Sequence, residues 1–339
     1  MNDDQKRQRD EVHTAFLRRD DPAAWVTETD ALDATRRYPL IALRGPVFGV
    51  AVQDPRTGPH WRVVRPVTDG TPQEARDSLN SSFWFRAKDD TDDPAVRREL
   101  LAAVALLERE PVDGLEVLGV RYRVVRGDEF TRVGAEGLEP PRPTDREPAT
   151  PSWDDRDSAP SPDLGFVLDP RPEDTSMARA ALRLGLREFA YTGARFPTAV
   201  REHSLRAVTT HPDIALLPVG FGVAERHGGE WEPRGALMPT PHAARRLLYD
   251  GMTEFWPLLH HFDDRKRAEY ARAAQALKSS RRVNRIQVAD TEYVIIRIER
   301  LLRLGPDGPE PPRPSDQDAY GPSKIHPTMT EDGRVRHDD

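Results

Sequence analysis

Apolar residues recur along this chain in two alternating rhythms, one close to helical spacing and one close to strand spacing. The stretch DPAAWVTETDALDATRR predicts a helix, with Asp21 as N-cap, Pro22 in the first turn and Pro39 stopping the chain after Tyr38. FGVAVQ and WRVV flank the turn DPRTGPH and predict a β-hairpin. Thr71-Pro72 then opens a helix. A second helix follows from Asp93-Pro94, where Val96, Leu100, Ala103 and Leu107 share one face. GLEVLGVRYRVVR predicts a closing hairpin.

The same order returns further on. IALRGPVFGVA at 41–51 realigns with IALLPVGFGVA at 214–224. Trp61 falls against Trp231, Thr71-Pro72 against Thr240-Pro241, and Phe83-Trp84 against Phe255-Trp256. From Asp93 and Asp264 onward the offset is constant, carrying Tyr122 onto Tyr293, Arg126 onto Arg297, Arg132 onto Arg303, and EPPRP at 139–143 onto EPPRP at 310–314. A register held over this length is the mark of an internal duplication. The expected fold class is α+β: two tandem copies of a helix, β-hairpin, two-helix, β-hairpin unit, packed as an intramolecular pseudo-dimer. The first copy is expected over 1–145, a Pro/Asp-rich flexible linker over 146–174, the second copy with an extra N-terminal helix over 175–318, and a disordered tail over 319–339. A weak helix at 10–19 is the expected counterpart of the extra helix within 175–193.

The segments DPAAWVTETDALDATRRYP and RGPVFGVA resemble an actinobacterial family classed as a domain of unknown function, whose members often carry the label "PE-PGRS family protein". The resemblance covers the body of both copies and implies no reaction, cofactor or catalytic residues. The label itself does not suit a chain with 22 Gly in 339 residues.

Composition narrows the chemistry. With no cysteine there are no disulfides, thiolate metal sites or cysteine nucleophiles. MNDDQKRQRD lacks the apolar run of a secretory signal, and no stretch reaches the roughly eighteen apolar residues of a membrane span. The expected location is the cytoplasm. Residues 1–145 carry 22 basic and 27 acidic side chains, whereas 176–318 carry 22 and 18, so an acidic first copy precedes a mildly basic second one. No nucleophile elbow, phosphate loop, zinc-protease helix or kinase signature is present, which lowers the expectation of an enzyme. His260-His261 with Asp263-Asp264, and Asp89 to Asp93, suit helix ends better than metal sites, so neither metal nor cofactor is expected.

Strand periodicity puts Tyr122 and Arg126, with Tyr293 and Arg297, on one face of the last strand of each copy, and Val294, Ile296 and Ile298 on the core face. The Tyr/Arg face is expected to be solvated or to line a groove between the copies. Together with Arg132, Arg303, Trp61 and Trp231 it is the candidate surface for a ligand or partner. Lys278, Arg281, Arg282 and Arg285 make a basic patch in the second copy. EPPRP is expected to strap each unit. The leading expectation is a non-catalytic interaction or regulatory protein with a protein partner; next stands an enzyme or binder of a small anion between the copies, and third nucleic-acid binding through the second copy.

Overall fold

In the computed structural model the structure describes residues 22–154, 160–172, 176–280 and 282–336. Asp21 and the helix expected at 10–19 lie outside the described residues. Helix α1 (Pro22–Arg37) leads into strands β1 (Leu40–Gln53) and β2 (Trp61–Asp69), helices α2 (Pro72–Asp89) and α3 (Pro94–Leu107), and strands β3 (Gly114–Val117), β4 (Val120–Gly134) and β5 (Gly137–Leu138). A two-residue strand β6 (Val167–Leu168) and helix α4 (Met177–Leu186) intervene. The order then recurs: α5 (Thr198–Thr210), β7 (Asp213–Leu216), β8 (Gly220–His227), β9 (Glu230–Met238), α6 (Pro241–Asp250), a π-helical turn and α7 (Trp256–Leu259), α8 (Asp264–Ser279), β10 (Arg285–Val288), β11 (Thr291–Gly305) and β12 (Gly308–Pro309). A small hairpin, β13 (Thr328–Met329) and β14 (Val335–Arg336), ends the described chain.

Local chemistry accounts for these boundaries. The Thr71 and Thr240 hydroxyls accept the Glu74 and Ala243 N–H groups, and Pro72 and Pro241 follow in the first turn. Asp93 accepts from the Ala95 N–H at 2.8 Å, and Asp263 from the Lys266 N–H at 2.7 Å, so both acidic runs serve as caps. Gly134 and Gly305 end the two long strands where a Cβ would strike the carbonyl oxygens of Arg37 and Thr210.

The fold is mixed α/β around a large antiparallel sheet ordered β6-β2-β1-β4-β11-β8-β9. β4 and β11 meet at its centre with Asp128 opposite Leu301, Glu129 opposite Arg300, and Phe130 opposite Glu299. One face lies under helices: α2 and α3 cover Val50, Phe83 and Leu100, and α6 and α8 cover Phe221, Leu277 and Ile295. Phe130, Leu186 and Leu301 close the middle. The other face carries two separate apolar clusters, one around Val63, Val125 and Leu302, the other around Ala224, Ile296 and Ile298.

Three expectations are corrected here. The Tyr/Arg face is not solvated: Arg126, Arg297 and Tyr293 are buried, as are Val294, Ile296 and Ile298 opposite them, because the central strands are covered on both sides. The stretch at 146–174 is not a loose connection throughout. Its residues Val167 and Leu168 pair with Arg62 and Trp61, and Asp163 is fully buried. The tail follows a packed path over 319–336: His326 stacks on Trp84 at 4.7 Å, Met329 enters the core over α2 and α3, and Glu331 pairs with Arg98 at 2.8 Å. Few apolar residues suffice here because each sits on an apolar surface that needs covering. Among the described residues no helix is long and apolar enough to cross a membrane.

Candidate binding cleft in the second half

The Tyr/Arg residues are consumed by the scaffold. Arg126 donates to Asp128 at 2.8 Å and to Asp316 at 3.0 Å, and Arg297 donates to Glu299 and, at 3.3 Å, to Asp145. Burial alone would lower both guanidinium pKa values, but the paired carboxylates outweigh it and hold them above the ordinary value. Tyr122 accepts from Arg86 at 2.8 Å and meets Phe83 edge-on. Tyr293 bonds the Tyr270 hydroxyl at 3.2 Å and stacks on Trp256; burial pushes its phenol up. Arg303 is spent on the carbonyls of Leu186, Arg187 and Phe189, and burial lowers its pKa. Arg132 is likewise buried and lowered, with Glu299 and Glu139 opposing the shift. Trp61 lies under Arg123 and against Gly308, and Trp231 under Arg226 and against Gly137.

The EPPRP segments are straps, but each crosses onto the other half. The Arg126 N–H donates to the Glu310 carbonyl and the Arg297 N–H to the Glu139 carbonyl, both at 2.9 Å. Each strap is itself stiffened by an internal pair, Arg142 with Glu139 and Arg313 with Glu310. Beyond the strap a carboxylate caps the other half's helix. Asp318 accepts the Gln73 N–H at 2.6 Å and Arg76 at 2.8 Å, while Glu147 accepts the His242 N–H at 2.9 Å and Arg245 at 2.7 Å. The position of Asp145 and Asp316 just after each EPPRP is visible in the sequence; the crossing itself is not.

At the second of these caps the chain leaves a cleft. A cavity of about 480 Å³ is lined by Trp153, His242, Arg245, Lys278 and Arg282, with Glu147 at its floor. A neighbouring hollow of about 520 Å³ shares Trp153 and Lys278 and reaches Tyr249 and Phe255. Arg76 in the first half meets two carboxylates, Asp113 at 2.7 Å and Asp318 at 2.8 Å. Arg245 meets one carboxylate, Glu147, and otherwise neutral oxygens: the Asn284 amide oxygen through Nε and Nη2 at 3.1 and 2.8 Å, and the Val283 carbonyl at 3.1 Å. Lys278 lies over the Tyr249 ring, and its acidic neighbour, the exposed Asp154, stands 3.7 Å away. An exposed pair of that kind neutralises little. His242 Nε2 donates to the Ser152 carbonyl at 2.9 Å, which fixes the ring against Trp153.

The basic patch is therefore divided. Lys278 and Arg282 line the cleft, whereas Arg285 turns away to Glu292 and the Glu136 carbonyl. Arg281 lies outside the described residues. Trp153, His242 and Arg245 were not singled out as site residues by the sequence, although the Asp113 to Asn284 exchange is readable at the constant offset.

No curated protein and no solved structure matches this chain. A family model does, over residues 21–319, and the chain belongs to that family, described as a family of unknown function (DUF5954).

Proposed function

We propose that this is a non-catalytic binding protein: two copies of one unit, packed as an intramolecular pseudo-dimer, in which the second copy has acquired a cleft for an anionic group on a protein partner. The pseudo-dimer reading is supported by the central register. The constant offset between Arg126 and Arg297 maps the pair Asp128/Leu301 onto Glu299/Phe130, so a twofold relation passes between Glu129 and Arg300. It is supported equally by the reciprocal straps, whose ion pairs Arg126–Asp316 and Arg297–Asp145 correspond.

The observation that carries the binding reading is the lost carboxylate beside Arg245. Where the first half places Asp113 the second places Asn284, while Lys278 and Arg282 add positive charge around the same cavity. In the cavity at Arg245 the cations outnumber the one lining carboxylate, Glu147, which favours an incoming anion there; Trp153 and Tyr249 offer it an aromatic flank, while Asp154, Asp250 and Glu254 confine the anion to the Arg245 side of the neighbouring hollow. The residues set in the cleft are two guanidinium groups, an ammonium and an imidazole fixed by Ser152; they recognise charge and perform no reaction.

The test is titration of the purified protein with a synthetic polyglutamate peptide, following Trp fluorescence. Affinity is expected to fall steeply with salt, and Lys278→Glu with Arg282→Glu to weaken binding by at least about tenfold, near 1.4 kcal/mol. Salt-insensitive binding, or full affinity in the double variant, contradicts the proposal. Tighter binding of single-stranded RNA than of the acidic peptide would move the assignment to nucleic acid.

A further inference from the structure

The two apolar clusters on the face of the sheet that carries no helix among the described residues are treated differently by the chain. In the first half the groove is plugged by residues 161–168. Val167 and Leu168 add antiparallel to Arg62 and Trp61, the Phe166 carbonyl accepts the Val63 N–H at 2.9 Å, and Leu168 joins Val63, Val125 and Leu302 in the core. The tip of this plug, Asp163, reaches the middle of the sheet and receives Arg300, with Nη2 donating to Oδ1 at 2.8 Å. Both side chains are buried to within 1% of completely.

Among the described residues no such plug covers the corresponding groove of the second half. Leu138, Trp231, Ile296 and Ile298 wall a hollow of about 140 Å³, with Ala42 and Ala224 at its base. Under the twofold relation proposed above, on which this inference rests, Trp231 stands for Trp61, Ile296 for Val125, and Glu129 for Arg300. The charge at the centre is thus inverted. Glu129 is buried and faces the groove beside Arg44, which bonds it at 2.6 Å but is itself half exposed across the groove mouth. Pro233 replaces Val63 and has no N–H to donate, so an occupant here gains less from backbone pairing and more from side-chain burial.

We infer that this groove is a docking site for an extended apolar segment of a partner protein carrying a Lys or Arg where the plug carries Asp163. The partly buried Val133, Trp231 and Leu237 around it supply the apolar contact, as the matching wall does for Phe166 and Leu168. Glu129 supplies the selectivity: it repels a carboxylate at the tip and accepts a cation, which displaces or shares the exposed Arg44. The chain's own plug therefore shows the shape of the ligand, and the inverted charge shows how it differs.

The probe is a labelled synthetic peptide spanning residues 160–170, used unmodified and with Asp163→Lys, its binding to the full chain followed by fluorescence anisotropy. The Asp163→Lys peptide is expected to bind at least about tenfold more tightly than the unmodified one. Glu129→Gln is expected to erase that preference, and Ala42→Trp, which fills a partly exposed position in the groove, to abolish binding without changing the thermal midpoint. Equal affinity for the two peptides overturns the assignment, as does the absence of binding or binding that survives Ala42→Trp. If the peptides bind alike while a chain cut between its halves stays assembled, the groove assignment alone has failed. If the cut chain falls apart, the duplication reading has failed with it.

Discussion

Asp163→Ala is expected to lower the unfolding free energy by about 3–5 kcal/mol, the cost of leaving a buried charge without its partner. Arg300 is shut away from water: its side chain is 1% exposed, and among the described residues its Nε has no acceptor and its donors reach, besides Asp163, only the carbonyls of Val67 and Pro218. The same substitution removes the acceptor for the Val67 N–H at 3.2 Å and loosens the plug over Val63 and Val125. For a chain of this size the thermal midpoint is expected to fall by about 4–7 °C, measured by calorimetry or circular dichroism. Asp163→Asn keeps the shape and part of the hydrogen bonding and is expected to fall between the two. A midpoint unchanged in Asp163→Ala would mean that the plug does not hold Arg300.

Arg126→Leu carries the second large effect. Arg126 separates two carboxylates, Asp128 at 2.8 Å and Asp316 at 3.0 Å, in a site with almost no solvent. Tyr191 donates to the same Asp128, and burial followed by that carboxylate pushes its phenol up, so it stays a donor and offers no positive charge in compensation. Removal of the guanidinium strands both acids, at about 3–5 kcal/mol near neutral pH. The cost is that of two buried negative charges left without their cation, so acid that neutralises them removes it. Urea unfolding of wild type and variant across pH 4–8 is expected to show the difference narrowing toward acid. A pH-independent difference would point instead to simple loss of packing.

The residues in these two predictions show how far the sequence reaches. Hairpins, the caps at Thr71, Thr240 and Asp93, and the helices after them are local, and their spacing and end residues identify them. Arg126 and Arg297 were found for the same reason, through their place on strands of regular period. Their surroundings were misjudged, because periodicity separates two faces of a strand but does not say that both will be covered. What covers them comes from far along the chain: Asp316 lies 190 positions from Arg126, and Asp163 lies 137 from Arg300. Such partners are set by topology, which a pairing of sequence copies does not report. The misplacement of 146–174 and 319–336 has a related cause. Low apolar content is the usual sign of a segment unable to build a core, but these stretches add single side chains, Phe166, Leu168 and Met329, to cores already built by others.

The cleft was legible in part. Lys278 and Arg282 were visible as a basic cluster, and the exchange of Asp113 for Asn284 marks where the halves diverge. Trp153 was hidden because it comes from the segment between the halves and reaches the cleft only beyond the turn that Asp145 closes onto Arg142. On the proposed duplication, residues shared by the two copies build the scaffold and residues that differ between them shape the candidate sites: the cleft at Arg245, and the groove at Glu129.

The central claim, two copies locked by exchanged straps, is tested most directly by cutting the chain between them. A specific protease site placed within residues 155–159 leaves one strap and its Asp145 on the first fragment, and the plug and the second strap on the other. Separation of the fragments then requires opening Arg126–Asp316 and Arg297–Asp145 and stripping Val167 and Leu168 from Arg62 and Trp61 together. After complete cleavage the protein is expected to elute from gel filtration as one particle with the volume of the intact chain, and to dissociate only on denaturation. Elution of two independent, folded fragments under native conditions would contradict the account.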